Sequence, residues 1–162
     1  MSGACWIYGK DNLPVLNRSA IGAKSTPFDA DVEKGRLRLF AKAIGETDPV
    51  YFDETAAQSA GHRSVLMPPT FLFCLEMEHP DPYRWFRDLN IPLAHALHGE
   101  QAFHYHRSGY AGDIMTFAAE IVDIYEKKGG ALEFAVQDVA ITNQNGEAVA
   151  DFRRTVVVRN GG

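Results

Sequence analysis

Residues 40–71 read FAKAIGETDPVYFDETAAQSAGHRSVLMPPTF. An apolar helical run stops at Gly45 and a carboxylate follows at once, Glu46. Then come Asp48-Pro49-Val50-Tyr51-Phe52-Asp53, a run of small residues, and the stiff Met67-Pro68-Pro69-Thr70. Upstream, Leu37, Phe40, Ala41 and Ile44 recur at helical spacing, which predicts a helix over about 33–44. Gly45 is placed to end it. Asp53 reads as the N-cap of a short helix over 54–60, closed by Gly61. Pro69-Thr70 opens a third helical run through Phe71, Leu72, Phe73, Cys74, Leu75 and Met77. It is apolar almost all round, so it belongs inside, and Pro80 and Pro82 end it. A further turn or two is expected over 82–89. Before the first helix, 26–32 reads as a strand and 18–22 as a short helix.

After Leu97 the texture changes. Residues 101–106 start a strand series, and 113–125 is long and rich in β-branched residues. Lys127-Lys128-Gly129-Gly130 reads as a turn. In 131–142, Leu132, Phe134 and Val136 share one face. Asn143-Gln144-Asn145-Gly146 is a strong hairpin signal, and 148–158 completes the series. Helices in the first half and an antiparallel meander in the second define an α+β class.

The chain has 162 residues, enough for one domain with a substantial core. No linker, repeat or low-complexity tract divides it. Residues 1–20 read as an N-terminal extension and 21–162 as the domain. The net charge of -5 argues against bulk nucleic-acid binding. Two cysteines, Cys5 and Cys74, are too few for a disulfide framework. Cys5 sits in a loose terminus and Cys74 reads as a packed core thiol. No apolar run approaches a membrane span, and the start lacks the blocks of a signal peptide. A reducing cytoplasm is the expected compartment.

The layout of 40–71 resembles the MaoC-like, or hydratase-2, proteins, which add water to acyl thioesters or remove it. Their pattern is approximately G-D-x-N-P-[LIV]-H. Here Glu46 stands at the acidic position, Asp48 at the Asn and Tyr51 at the His. Further on, LHGEQAFHYHR, AGD and DIYEKKGGALEF look like the tail of the FAS1-type dehydratase-like half-domain, MaoC N-terminal. The resemblance runs from about Ile21 to near the end. It implies a hot-dog fold, with a long antiparallel sheet wrapped around one buried helix, the one after Pro69. It also implies an acyl thioester of coenzyme A or of a carrier protein as ligand, with no separate cofactor.

Hydration of an enoyl thioester needs a base for water, an acid for the α-carbon and donors for the thioester oxygen. A phenol with a pKa of about 10 is only about 0.1% ionised at neutral pH. It therefore replaces imidazole poorly as a proton shuttle. Glu46 keeps the carboxylate but adds a methylene, and a displacement of about 1 Å can cost roughly a hundredfold. Asp48 is a further carboxylate at the site. At the donor end, relatives often carry His-Gly where this chain has Pro68-Pro69, and proline has no N–H. Thr70 and Phe71 still offer N–H groups at a helix start. Base, acid and donor are all altered together. The resemblance is closest to the degenerate, non-catalytic halves of paired enzymes. These bind the thioester and shape the acyl tunnel beside a catalytic partner.

The expected site is therefore Glu46 and Tyr51 at degenerate catalytic positions. Asp48 and His98 are weaker catalytic candidates, and Arg63, Pro68, Pro69, Thr70 and Phe71 would contact substrate. Lys127, Lys128, Arg153 and Arg154 are further cations for coenzyme A phosphates, each read singly as a solvated surface residue. The aromatic run 82–86 reads equally as a tunnel cover, a subunit contact or core. His95, His98, His104 and His106 lie close in sequence and His104 shares a strand face with His106, but their spacing matches no zinc motif, so no metal is expected. The expected assembly is a homodimer, or a heterodimer with a catalytic MaoC-like subunit, joined at a sheet edge. Three alternatives stay open. One is a self-sufficient hydratase using Glu46 or Asp48 with Tyr51. Another is an acyl-thioester binding module without catalysis, and the last is a hot-dog thioesterase.

Overall fold

The computed structural model describes residues 15–160. Cys5 and most of the expected N-terminal extension lie outside the described residues. Five strands form one antiparallel sheet in the order β1-β3-β4-β5-β2. They are β1 Phe28–Asp31, β2 Ala96–Tyr105, β3 Ile114–Lys127, β4 Leu132–Asn143 and β5 Ala148–Arg159. The helices α1 Lys34–Ala43, α2 Glu54–Ser59, α3 Phe71–Glu76 and α4 Arg84–Asp88 lie between β1 and β2, or just before β2, in the chain. The α+β expectation holds.

Local chemistry sets the boundaries. Gly45 ends α1 in the left-handed region at φ 77°, where a side chain would be strained. The Asp53 carboxylate accepts from Ala56 N at 2.8 Å and caps α2. The turn after β3 carries positive φ at Lys128, Gly129 and Gly130. The hairpin between β4 and β5 is held by Asn143, whose Oδ1 accepts from Asn145 N at 3.0 Å and from Glu147 N at 3.1 Å.

Two expectations need correction. The third helix ends at Glu76, before Met77, and only part of it is enclosed. Phe71, Leu72 and Leu75 are buried, Cys74 is half-buried and Phe73 is exposed. Pro80 disfavours helical backbone at His79, so six residues are all that the sheet wraps. On β4 the face of Leu132 and Phe134 is the outer, half-buried one. The inner face carries Glu133, Ala135, Gln137, Val139 and Ile141, all buried. The polar pair is tolerated because it is bonded. Glu133 accepts from Leu16 N at 3.2 Å and from Asn160 Nδ2 at 2.7 Å.

The core has two parts. One gathers Leu37, Met67, Phe71, Leu72, Leu75, Phe117, Phe152 and their neighbours around α3. Each such side chain contributes about 1.5–3 kcal/mol by leaving water. The other joins Leu16, Phe86, Leu89 and Ile91 to Ile124, Val156 and Val158 on the sheet. Leu16 thus anchors residues inside the expected extension onto the domain, and Asn17 N donates to Leu89 O at 3.1 Å.

Candidate active site

The 46–53 loop and the lead-in to α3 are drawn together by backbone. Leu66 N donates to Val50 O at 3.0 Å, and Met67 N donates to Gly109 O at 2.9 Å. Arg38 Nε donates to Phe52 O at 2.7 Å and fixes the far side of the loop. The two motifs separated in sequence are neighbours in space, as the resemblance implies.

Within the loop the carboxylates serve the backbone. Glu46 Oε1 accepts from Thr47 N at 2.8 Å and from Asp48 N at 3.0 Å. Asp48 Oδ1 accepts from Val50 N at 3.1 Å, capping the 3-10 turn Pro49–Tyr51. Asp53, as described, caps α2. Tyr51 is half-buried, and its hydroxyl makes no hydrogen bond among the described residues. Burial pushes its pKa above the ordinary phenol value, and the negative charges of Glu46 and Asp48 push it further the same way. The phenol is held protonated.

At the start of α3, Pro68 is buried while Pro69 and Thr70 are exposed. Phe71 N donates to Pro68 O at 2.9 Å, so it is not a free donor. Its ring is buried, 5.2 Å from Phe40 between centroids, with the Arg36 guanidinium 5.6 Å from its centre. Thr70 N–H has no partner among the described residues. Arg63 pairs with the almost fully buried Asp113, and its guanidinium lies 4.6 Å from the centre of the Tyr110 ring. His62 Nδ1 is 3.3 Å from the same tyrosine's hydroxyl.

His98 stands apart from this group. It lies on β2 beside a bulge, with Nε2 3.1 Å from Gln101 Oε1 and its ring 6.0 Å from that of Phe73. The bulge requires Gly99, since a Cβ there would sit 2.7 Å from Val157 Cγ2 and 3.1 Å from Thr155 O. His104 and His106 do share a face, and Asp151 joins them from β5, opposite His104. The three ligand atoms lie within 4.8 Å of one another, exposed, and His106 Nε2 is 2.7 Å from Asp151 Oδ2. Sequence spacing could not supply that third residue, because strand register does.

Of the other basic residues, Arg153 makes a two-pronged pair with Asp138 at 2.7 Å on each bond. Arg154 is a correction to the surface reading. It is buried, pairs with buried Glu76 at 2.8 Å and bonds Gln137. Trp85 from the aromatic run covers it, with Arg154 Cζ 4.7 Å from the ring centre. Phe86 of the same run is core and Tyr83 is exposed.

A sheet of this order around one helix, with an acidic loop tied to that helix's lead-in, is the layout of the MaoC-like hydratases and dehydratases. The chain belongs to that class through the FAS1-like, dehydratase domain region, whose family model matches residues 19–152. Two relatives are UPF0336 proteins. One, from Saccharopolyspora erythraea, is 33% identical over 89% of this chain and 92% of its own. The other, from Thermobifida fusca, is 33% identical over 89% and 94%. Among solved structures, the HadBC (3R-hydroxyacyl-ACP dehydratase) complex from Mycobacterium tuberculosis is similar, with a TM-score of 0.74 and 25% identity. The match covers 85% of this chain and 96% of that one. The ChsH1-ChsH2 complex from the same organism shares the fold with a TM-score of 0.70 at 23% identity, over 90% and 92% of the two chains. The hot-dog fold and the hydratase/dehydratase family are thereby established. Among the described residues, no helix is long and apolar enough to cross a membrane.

Proposed function

We propose that this chain is the non-catalytic half of an enoyl-thioester hydratase, or (3R)-hydroxyacyl-thioester dehydratase, working beside a catalytic MaoC-like subunit in the cytoplasm. The observation that carries this reading is the state of the 46–53 loop. Both carboxylates accept backbone hydrogen bonds, and Tyr51, within reach of both charges, is a protonated phenol. A water molecule bound there would meet a hydrogen-bond donor in Tyr51, while Glu46 and Asp48 are each tied through one carboxylate oxygen to backbone N–H groups. The donor end supports the same reading, because Pro68 and Pro69 lack N–H groups and Phe71 N is engaged. Thr70 N–H remains as a single donor for a thioester oxygen.

The partner surface follows from the sheet. Strand β2 is a ten-residue edge, with Leu97 and Tyr105 exposed on it and Phe73 of α3 exposed close by. An unpaired edge of that length is a template for another strand. A complex such as those named for the similar structures would satisfy it. The ligand in this reading is an acyl thioester, with Arg63, Pro69 and Thr70 at its rim.

The test is activity in the complex. The chain is combined with a companion that keeps G-D-x-N-P-[LIV]-H, and hydration of crotonyl-coenzyme A is followed. Tyr51→Phe and Glu46→Gln in this chain are expected to leave the rate of the complex within about twofold. A loss of roughly a hundredfold, the scale of general acid–base catalysis, would assign the chemistry to this chain instead.

A further inference from the structure

A cavity of about 210 Å³ lies between the inner face of the sheet and the α3–α4 segment. It shares no residue with the 46–71 region, and its contribution from α3 is the last residue, Glu76. Phe28, Phe117, Ile121 and Val139 form one wall and Trp85 the other. Engineered apolar cavities of about 150 Å³ accept a benzene-sized molecule, so this one has room for a somewhat larger body.

One end of the cavity is polar and buried. Arg154 is 6% exposed, Glu76 6% and Gln137 4%. Each of the three guanidinium nitrogens makes a hydrogen bond. Nη1 donates to Glu76 Oε2 at 2.8 Å, Nε donates to Gln137 Oε1 at 2.8 Å, and Nη2 bonds the same Gln137 oxygen. That leaves Glu76 Oε1 and Gln137 Nε2 without a partner among the described residues. Neither is sealed in protein, since the fully buried side-chain atoms without partners are Gln101 Nε2 and Asn160 Oδ1. The little surface these two residues keep opens on the cavity they line.

One acceptor and one donor therefore meet the part of the cavity walled by buried Phe117, Ile121 and Val139, while Lys24, His79, Asp81, Arg84 and Asp88 line the rest. Arg154 and Glu76 already neutralise each other, and Lys24 and Arg84 in the lining pair with Glu120 and Asp88 at 3.5 and 3.7 Å, so a ligand carboxylate at the buried end carries the cost of burying a further charge. A hydrocarbon would leave both polar atoms unpaired. A hydroxyl group donates one hydrogen bond and accepts another. We propose that this cavity binds a small apolar molecule carrying a hydroxyl group, which donates to Glu76 and accepts from Gln137. This assignment is independent of the partner-dependent reading of the 46–71 region.

The test is calorimetric titration of the whole chain with 1-heptanol, heptyl methyl ether and heptanoate. The alcohol is expected to bind at least about tenfold more tightly than either analogue, the scale of a buried hydrogen bond gained or left unmade. Gln137→Met removes the donor to the ligand oxygen and should weaken alcohol binding about tenfold, with the alcohol still ahead of the ether, which has no hydrogen to give Glu76; unchanged alcohol affinity would overturn the proposal. Ala119→Leu adds bulk at the cavity wall and should abolish binding of all three. Circular dichroism confirms that each variant is folded. Equal affinity for alcohol and ether would overturn the proposal, as would no binding, the result for a cavity that holds only water. Binding that survives Ala119→Leu would place the ligand elsewhere and would also overturn it.

Discussion

Tyr51 shows how neighbours decide what a side chain can do. Burial and two adjacent carboxylates all favour the neutral phenol, so Tyr51→Phe should leave the shape of the complex's pH–rate profile unchanged between about pH 6 and 8. Sequence alone identified Glu46, Asp48 and Tyr51 as altered positions, because the pattern G-D-x-N-P-[LIV]-H fixes their order. It could not show that Glu46 and Asp48 accept backbone N–H groups, since that depends on the loop's dihedral angles. Arg154 was less legible still: nothing local separates it from Arg153, and only strand alternation sends one inward to Glu76 and the other outward to Asp138. Arg154→Met should destabilise the chain by about 3–5 kcal/mol by leaving Glu76 buried and unpaired, whereas adding Glu76→Leu should recover much of that loss. Glu76 also gives a pH signature. Burial raises its pKa, outweighing the opposing pull of Arg154. The folded chain therefore binds this proton more tightly than the unfolded chain. Protonation of Glu76 favours folding below its folded pKa, and that contribution is lost as pH rises through it. The melting temperature of the native chain, relative to Glu76→Gln, should rise on going from about pH 7 to about pH 5 in thermal unfolding.

Among the elements, those with local punctuation were the legible ones. The α1 helix with Gly45, the Asp53 cap of α2 and the Asn143–Gly146 turn all stand where their residues place them. Asp53→Ala should cost about 1 kcal/mol in chemical denaturation, the value of a cap bond, with no effect on ligand binding. The inner face of β4 was not legible, because its polar members Glu133 and Gln137 break the alternation by which a buried face is recognised. Their partners Leu16, Asn160 and Arg154 come from distant parts of the chain. The length of α3 was overestimated for a related reason. An apolar run reads the same whether it continues as helix or as packed turn, and here the turn begins at Met77.

At the scale of the molecule, class and wrapping helix were legible because the helical and β halves of the chain are cleanly separated. Assembly was legible only as an expectation, since an edge strand becomes visible when the order β1-β3-β4-β5-β2 is known. A lysine placed on the exposed face of β2, as in Leu97→Lys or Ala102→Lys, should weaken association with a companion subunit at least about tenfold in sedimentation or calorimetry. The chain's own fold should persist. The most direct measurement is hydration of crotonyl-coenzyme A by the purified chain alone, compared with the chain plus its catalytic companion. The account predicts no hydration above background from the chain alone and turnover on mixing. A chain that by itself reaches about 10⁴ M⁻¹s⁻¹ or more in kcat/KM, and loses that rate in Tyr51→Phe, would contradict it.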